Sequence, residues 1–271
     1  MTTVVTAKAG RFLIFANDAL GKVLLAKGDF EPHFLQIARQ VVRPGDLCLD
    51  LGANLGYHSV TLARLTGPDG VVLAFEPQRL IFQQLCGNAF LNDLRNIHVF
   101  NAAVGAVDGM VSMDAVDYDH GQVNIGGTKV GQGGDTAAMM RLDSLKLEAV
   151  KFIKLDIQGC EESFLTGAAA TIAKSRPVLF VEIEEYLLRC FGSGSEQLIN
   201  RLLALDYVLV RILNDYPCDH LAVPAEHAHL IPRYLQDLDC PHALIKGRSA
   251  RVRMDHPAHP TAIYGTHEVI P

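Results

Sequence analysis

The run Leu47-Cys48-Leu49-Asp50-Leu51-Gly52-Ala53-Asn54-Leu55-Gly56 decides how this chain reads. Its first five residues follow a Pro44-Gly45-Asp46 turn and are almost continuously apolar, the pattern of a strand covered on both faces. Two glycines then bracket a turn, and a helix-period pattern runs from about Gly56 to Leu65. A strand that ends on an acid and passes through a glycine turn into a helix brings backbone N–H groups and a carboxylate to one place. In open parallel sheets, ligands bind at such strand ends, where the strand order reverses.

Downstream, the same alternation continues. The pattern predicts a strand over Val71 to Glu76, a helix from Pro77 to Leu91 with Pro77 in its first turn, and a strand over Ile97 to Ala102. Strands follow at Phe152 to Ile157 and Val178 to Ile183, with helices over Glu161 to Ala173 and Ser195 to Leu205; Tyr207 to Leu213 and Asp219 to Val223 finish the sheet. Such alternation means parallel strands joined by right-handed crossovers. Upstream, Arg11 to Ala16 reads as a strand and Phe30 to Val42 as a helix with an apolar face at Phe34, Ile37, Ala38 and Val41. The Asp108 to Leu142 segment is glycine-rich and lacks helix period, which predicts a surface loop or hairpin able to cover a substrate. The resulting organisation is a lead-in over 1–43, a ligand-binding domain over 44–224 and a weakly patterned tail over 225–271.

At 271 residues, 49% hydrophobic and 20% charged, the chain can bury one substantial core. The formal charge of -6 disfavours a nucleic-acid partner. No apolar run is long enough to span a bilayer and the N-terminus lacks a signal pattern, so the expectation is a cytoplasmic protein with no membrane partner. The six cysteines form no Cys-x-x-Cys pair, and neither a disulfide framework nor a zinc site is expected.

The glycine spacing is Gly-x-x-x-Gly rather than the Gly-x-Gly-x-x-Gly of dinucleotide sites. Asp50 would repel a pyrophosphate but attract an ammonium group, which favours S-adenosylmethionine over NAD. Glu76, at the end of the next strand, suits the two hydroxyls of an adenosine ribose, and Asn101-Ala102, at the end of the third, are placed to border the adenine. The alternatives are a helix cap for Asp50, a solvated carboxylate for Glu76 and turn chemistry for Asn101.

Asp50-Leu51-Gly52-Ala53-Asn54-Leu55-Gly56-Tyr57-His58-Ser59 and Ala74-Phe75-Glu76-Pro77 resemble the opening of the FkbM-type methyltransferase family. Lys154-Leu155-Asp156-Ile157-Gln158-Gly159-Cys160-Glu161 looks like that family's Lys-x-Asp-x-Glu-Gly-x-Glu element, and Arg176-Pro177 and Glu182 also match. The likeness extends from about Gly28 to Pro224. It implies the α/β class I methyltransferase Rossmann-like fold, with a mostly parallel seven-stranded sheet and helices on both faces. It also implies S-adenosylmethionine as donor, and O-methylation of a sugar or polyketide-like small molecule. By motif match the donor lies against Asp50, Gly52, Asn54, Gly56 and Glu76, and the neighbouring Ala53, Tyr57 and Pro77 are expected to complete the cofactor-binding set. Gln158 departs from the family's glutamate; if that glutamate assists the acceptor elsewhere, Asp156 or Glu161 must do so here.

Methyl transfer to oxygen needs alignment of two reactants and removal of one proton. Asp156 is the first candidate for the base, with a purely positioning role as its alternative; His58 is the second. Glu182 and Glu184, two residues apart, share a face and are candidates to contact acceptor hydroxyls, with ordinary polar support as their alternative. His120 and Asn124 in the long loop have the chemistry to read sugar hydroxyls, with solvated loop residues as the alternative, and the expectation rests on the loop rather than on either residue. No metal is expected, because no dense ligand motif is present and His256 and His259 make no ligand pattern. The competing readings are an NAD-dependent oxidoreductase and a non-catalytic scaffold that keeps the fold.

Overall fold

A computed structural model describes residues 2–117 and 124–246, and beyond them only the strands named below. The chain opens with a hairpin of β1 (Thr2–Ala7) and β2 (Gly10–Phe15), then α1 (Ala19–Lys27) and α2 (Pro32–Val41). The core begins with β3 (Leu47–Leu51), α3 (Tyr57–Thr66), β4 (Val71–Phe75), α4 (Arg79–Leu91) and β5 (Ile97–Phe100). A side sheet follows, made of β6 (Ala102–Val104), β7 (Gly109–Asp114) and β8 (Gly133–Met140). The core resumes with β9 (Val150–Leu155), α5 (Glu161–Gly167), α6 (Ala169–Ser175), β10 (Val178–Glu182), α7 (Glu185–Cys190), α8 (Ser195–Ala204), β11 (Tyr207–Ile212) and β12 (Asp219–Pro224). After these come α9 (Ile231–Tyr234), β13 (His242–Lys246), a β14 (Val252–His256) and β15 (His259–Tyr264) pair, and β16 (Glu268–Ile270).

The main sheet has the order β16-β13-β11-β12-β10-β9-β3-β4-β5. Its pairs from β10 to β5 are parallel, and β12 enters antiparallel between β10 and β11. The seven strands from β5 to β11 form the mostly parallel, Rossmann-like sheet that the resemblance implies. The expected count of seven is corrected to nine, because β13 and β16 extend the β11 edge. The 225–271 stretch is therefore more than a tail: Tyr234 and Leu235 are buried against α2, and β13 pairs with β11.

Residues of one strand face opposite ways, and both faces here are apolar. Leu49, Leu51, Ile153, Leu155, Leu179 and Val181 pack with Phe164, Ile172 and Leu198 from α5, α6 and α8. Cys48, Val72, Phe152 and Phe180 pack on the other face with Phe34, Ile37 and Val41 of α2. Phe34 is fully buried, worth roughly 1.5–3 kcal/mol.

Several elements differ from expectation. The strand expected near Arg11 is β2, and it pairs with a β1 that the pattern does not predict. Ile97 to Ala102 is two strands in different sheets, broken at Asn101, whose amide turns back to the carbonyls of Glu76 and Pro77 at 3.0 Å each. Pro77 lies before α4 rather than in its first turn, with Gln78 at the N-cap. The helix expected over Glu161 to Ala173 divides at Ala168, beside Gly167, where a Cβ would come within 1.9 Å of the Gly105 carbonyl oxygen. The long 108–142 segment forms the β7/β8 hairpin, and its 124–128 turn is tied down on both sides: Ile125 N–H donates to Asp18 (2.9 Å), and the Gln78 amide donates to the Ile125 carbonyl (3.0 Å). No helix among the described residues is long and apolar enough to cross a membrane.

Candidate active site

β4 lies on one side of β3 and β9 on the other, so the strand order reverses at the carboxyl end of β3. A cavity of about 1020 Å³ opens there. That is at the upper limit of the roughly 300–1,000 Å³ typical of small-molecule sites, room for two reactants.

One end is built by the turn after β3. Gly52 has φ +75°, and a Cβ on it would come within 1.8 Å of the Asp156 carbonyl oxygen, so only glycine lets β3 and β9 end this close together. Gly52 and Ala53 both donate their N–H to the Phe75 carbonyl (3.1 and 2.9 Å). Gly56, at φ +92°, caps α3 where a Cβ would meet the Leu85 side chain at 2.3 Å. Glu76 is 4% exposed; its two carboxylate oxygens accept one N–H each, from Asn54 and Gln78, both at 2.9 Å. Burial pushes its carboxyl up to about 7 against the pull of those two amides.

The other end is built by side chains. Lys154, 5% exposed, donates to Asp156 (3.0 Å) and to the Gly52 carbonyl (3.1 Å) and stands 3.8 Å from Asp50. The Gln158 amide donates to Asp156 (2.7 Å) and to Glu182 (3.2 Å). Burial would raise the Asp156 carboxyl, but Lys154 and the hydrogen bonds from Glu182, Lys154 and Gln158 hold it below its ordinary value. Burial, with Asp156 and Asp219 close by, drives Glu182 well above its own. His33 Nε2 and Asp219 are 2.8 Å apart, and the Asn214 amide donates to the same Asp219 oxygen. Tyr216 donates its hydroxyl to Glu184 at 2.6 Å.

Against this geometry, the model of the methyltransferase FkbM domain matches residues 50–209, more than half of the chain. The chain belongs to the FkbM-type methyltransferase family. No curated protein sequence is similar enough to count as a relative. Among solved structures, a methyltransferase FkbM from Methylobacillus flagellatus is 19% identical over 78% of this chain and 62% of its own, with a TM-score of 0.46. Fibrillarin from Aeropyrum pernix, solved with natively bound S-adenosyl-L-methionine, is 15% identical over 82% of each chain, with a TM-score of 0.42. This FkbM-type chain therefore spans less than two thirds of the Methylobacillus structure's length.

Within this FkbM-type site the cavity brings together Gly52, Ala53, Asn54, Tyr57, His58, Glu76, Pro77, Ala102 and Asp156 of the residues expected from sequence. Three lie behind its wall. Asp50 is 0% exposed and hydrogen-bonded by Ser59 at 2.5 Å, so its charge reaches the cavity through Lys154 rather than by contact. Gly56 shapes the turn without lining the space, and Asn101 fixes the backbone of Glu76 and Pro77. Tyr57 lines the cavity with its hydroxyl held by Asp29 at 2.7 Å.

His58 is a poor base in this setting. Its ring packs at a tilt with centroid 4.2 Å from that of Phe34, and burial, with Lys154 and His33 nearby, lowers its basicity well below the ordinary histidine value. Glu161 is corrected from acceptor assistant to turn support: it lies outside the cavity and accepts the Ile157 and Gly159 N–H groups at 3.2 Å each. Glu182, Glu184 and Asn124 do line the cavity; His120 lies outside the described residues.

Glu31, His33, Asn214, Tyr216 and Asp219 were not legible as site residues. His33 and Asp219 are 186 positions apart, and no spacing rule links them. Only the covered face of α2 hinted that its N-terminal end would reach the site.

Proposed function

We propose that this methyltransferase uses S-adenosylmethionine to methylate a hydroxyl of a small molecule, of the sugar or polyketide-like kind. The observation that carries the proposal is the division of one cavity into a backbone-lined end closing on Glu76 and a carboxylate-lined end closing on Asp156 and Glu182. The first end fits the donor: Gly52 leaves the backbone bare, and each Glu76 oxygen, bonded to a single amide, keeps a lone pair for a ribose hydroxyl. Gly52, Ala53, Asn54, Glu76, Pro77 and Ala102 would hold it, with Asn101 and Gly56 setting their backbone.

When bound, S-adenosylmethionine supplies a methyl group made electrophilic by its sulfonium. The chain itself orients the acceptor and takes its proton. Asp156, at the end of β9 and 30% exposed, is kept ionised by Lys154 and Gln158; weakly basic for that reason, it orients the acceptor hydroxyl by accepting its hydrogen bond and takes the proton as the oxygen turns acidic on bonding to the methyl carbon. The tethered 124–128 turn forms part of the cavity wall. Gln158 does not silence the site, because its amide bridges two carboxylates that are both still present. The same carboxylates disfavour a polyphosphate acceptor, which supports a small-molecule or glycan partner over a nucleic acid.

Calorimetry with S-adenosylhomocysteine and with NADH tests the donor assignment. Binding of the former and indifference to the latter is expected; the reverse result would replace the proposal with a dinucleotide-dependent reaction. Mass spectrometry after incubation with labelled donor and a small-molecule extract identifies the methylated atom, and label on carbon or nitrogen would overturn the hydroxyl.

A further inference from the structure

We propose that the acceptor carries a protonated amine, seated where Asp156 follows β9, Glu182 ends β10 and Asp219 begins the adjacent β12; this rests on the methyltransferase reading above and narrows its substrate to an amino sugar or another hydroxylated amine.

The argument starts from register. Glu182 and Asp219 are direct partners across the antiparallel β10/β12 pair. Leu155 pairs with Val181 across the parallel β9/β10 pair, so Asp156 and Glu182 are the next residues along. All three line the cavity, as does Glu31 at the start of α2. Like charges directly opposite one another on neighbouring strands destabilise a sheet. Such an array is stable at neutral pH only if protons or a cation offset it.

The protein's own cations do not suffice. Lys154 is already committed to Asp50, Asp156 and the Gly52 carbonyl. Asp219 has His33 and the neutral Asn214 amide, and Glu182 has the neutral amide of Gln158 and a hydrogen bond shared with Asp156, neither of them a cation. His58 supplies a second, separate sign of a missing partner. It is 6% exposed and lines the cavity, and its Nε2 stands 3.3 Å from Glu31 Oε2 without making a hydrogen bond. Burial, Lys154 and His33 keep that ring neutral, so it brings no positive charge to Glu31.

Burial, followed by Asp219, raises Glu31 well above the ordinary carboxyl value, as Glu182 is also raised, in keeping with carboxylates that lack a counter-charge. A metal ion is a poorer match than an organic cation. Among the described residues no three His, Cys, Asp or Glu side chains are grouped closely enough to hold one. At the rim, Tyr186 is 68% exposed and offers an aromatic face, which attracts an ammonium group or stacks on a sugar ring. An ammonium, which hydrogen-bonds oxygens from farther away than a metal ion coordinates them, can sit between the paired Glu182 and Asp219 with Glu31 alongside, leaving a neighbouring hydroxyl of the same molecule for Asp156.

The test titrates protein saturated with S-adenosylhomocysteine at pH 7 with D-glucosamine and, separately, with D-glucose. Glucosamine is expected to bind at least about ten-fold more tightly. Glu31→Gln, at a side chain 27% exposed, is expected to cut that preference by about three-fold with little change in Tm, and Glu182→Gln to cut it further. Equal affinity for the two sugars, or binding of neither, with S-adenosylhomocysteine bound would overturn the amine and leave the donor assignment standing. Failure of S-adenosylhomocysteine to bind would overturn both.

Discussion

At the end bounded by Gly52, Asn54 and Glu76 the cavity wall is mainly main chain, shaped by two glycines at positive φ and one carboxylate fixed by two amides. At the end bounded by Asp156, Glu182 and Asp219 the wall is side chains, delivered by α2, β9, β10, β12 and the turns that follow the strands. A backbone wall recognises a constant ligand by shape and hydrogen bonding and changes little without losing the fold. A side-chain wall is adjustable residue by residue on an unchanged sheet, which is how one fold serves many acceptors.

The contrast can be broken most severely at Gly52. Gly52→Ala forces a Cβ to within 1.8 Å of the Asp156 carbonyl oxygen at φ +75°. We expect destabilisation of about 3 kcal/mol or more and loss of S-adenosylhomocysteine binding, read by denaturant unfolding and calorimetry. A variant with normal stability would show that the backbone wall is not fixed by this contact.

Asp156→Asn probes the other wall. If the two ends are separable, turnover falls about 10²-fold or more while donor affinity changes by no more than about three-fold. Equal losses in both would mean that Asp156 serves the donor. Glu76→Ala is the mirror experiment, expected to weaken S-adenosylhomocysteine binding by about ten- to a hundred-fold, the range for hydrogen bonds to a charged group.

The same carboxylate gives a pH dependence. Because burial raises Glu76 to about 7, the free protein holds that proton below neutrality, whereas ribose hydroxyls bind best to the ionised form. Donor affinity should be flat above pH 7 and fall about ten-fold per unit as pH drops below it. Calorimetry across pH 5.5 to 8.5 reads the slope, and the Glu76→Gln variant should flatten it.

The smallest effect is expected from Gln158→Glu, which restores the glutamate common in the family. It replaces an amide bridging Asp156 and Glu182 with a third carboxylate. A loss of about 1–2 kcal/mol at pH 8 is expected, shrinking as the pH is lowered and the cluster takes up protons. Unchanged stability at pH 8 would mean that a cation already compensates there.

How much of this was readable in advance follows the same line between the two ends. Asp50 to Gly56 and Glu76 lie on short local patterns, where a strand, a turn and a helix start within a few residues of each other, so periodicity and glycine placement reveal them. Asp156 was reached because it too ends a strand. What the local pattern does not carry is depth: Asp50 looked like a ligand contact, yet it sits under the loop with Ser59 and Lys154. Nor does it carry pairing at long range, so His33 with Asp219 and Ile125 with Asp18 were invisible.

From sequence alone came the alternating α/β order, the family, the glycine turn and the acids at strand ends, because each is set by neighbours within one or two turns of chain. The tertiary structure decided which acids meet in one cavity, which carboxyl is pushed toward neutrality and which histidine is kept neutral. Those properties depend on burial and on charges brought within a few ångströms by strand order, and no stretch of chain read by itself contains either.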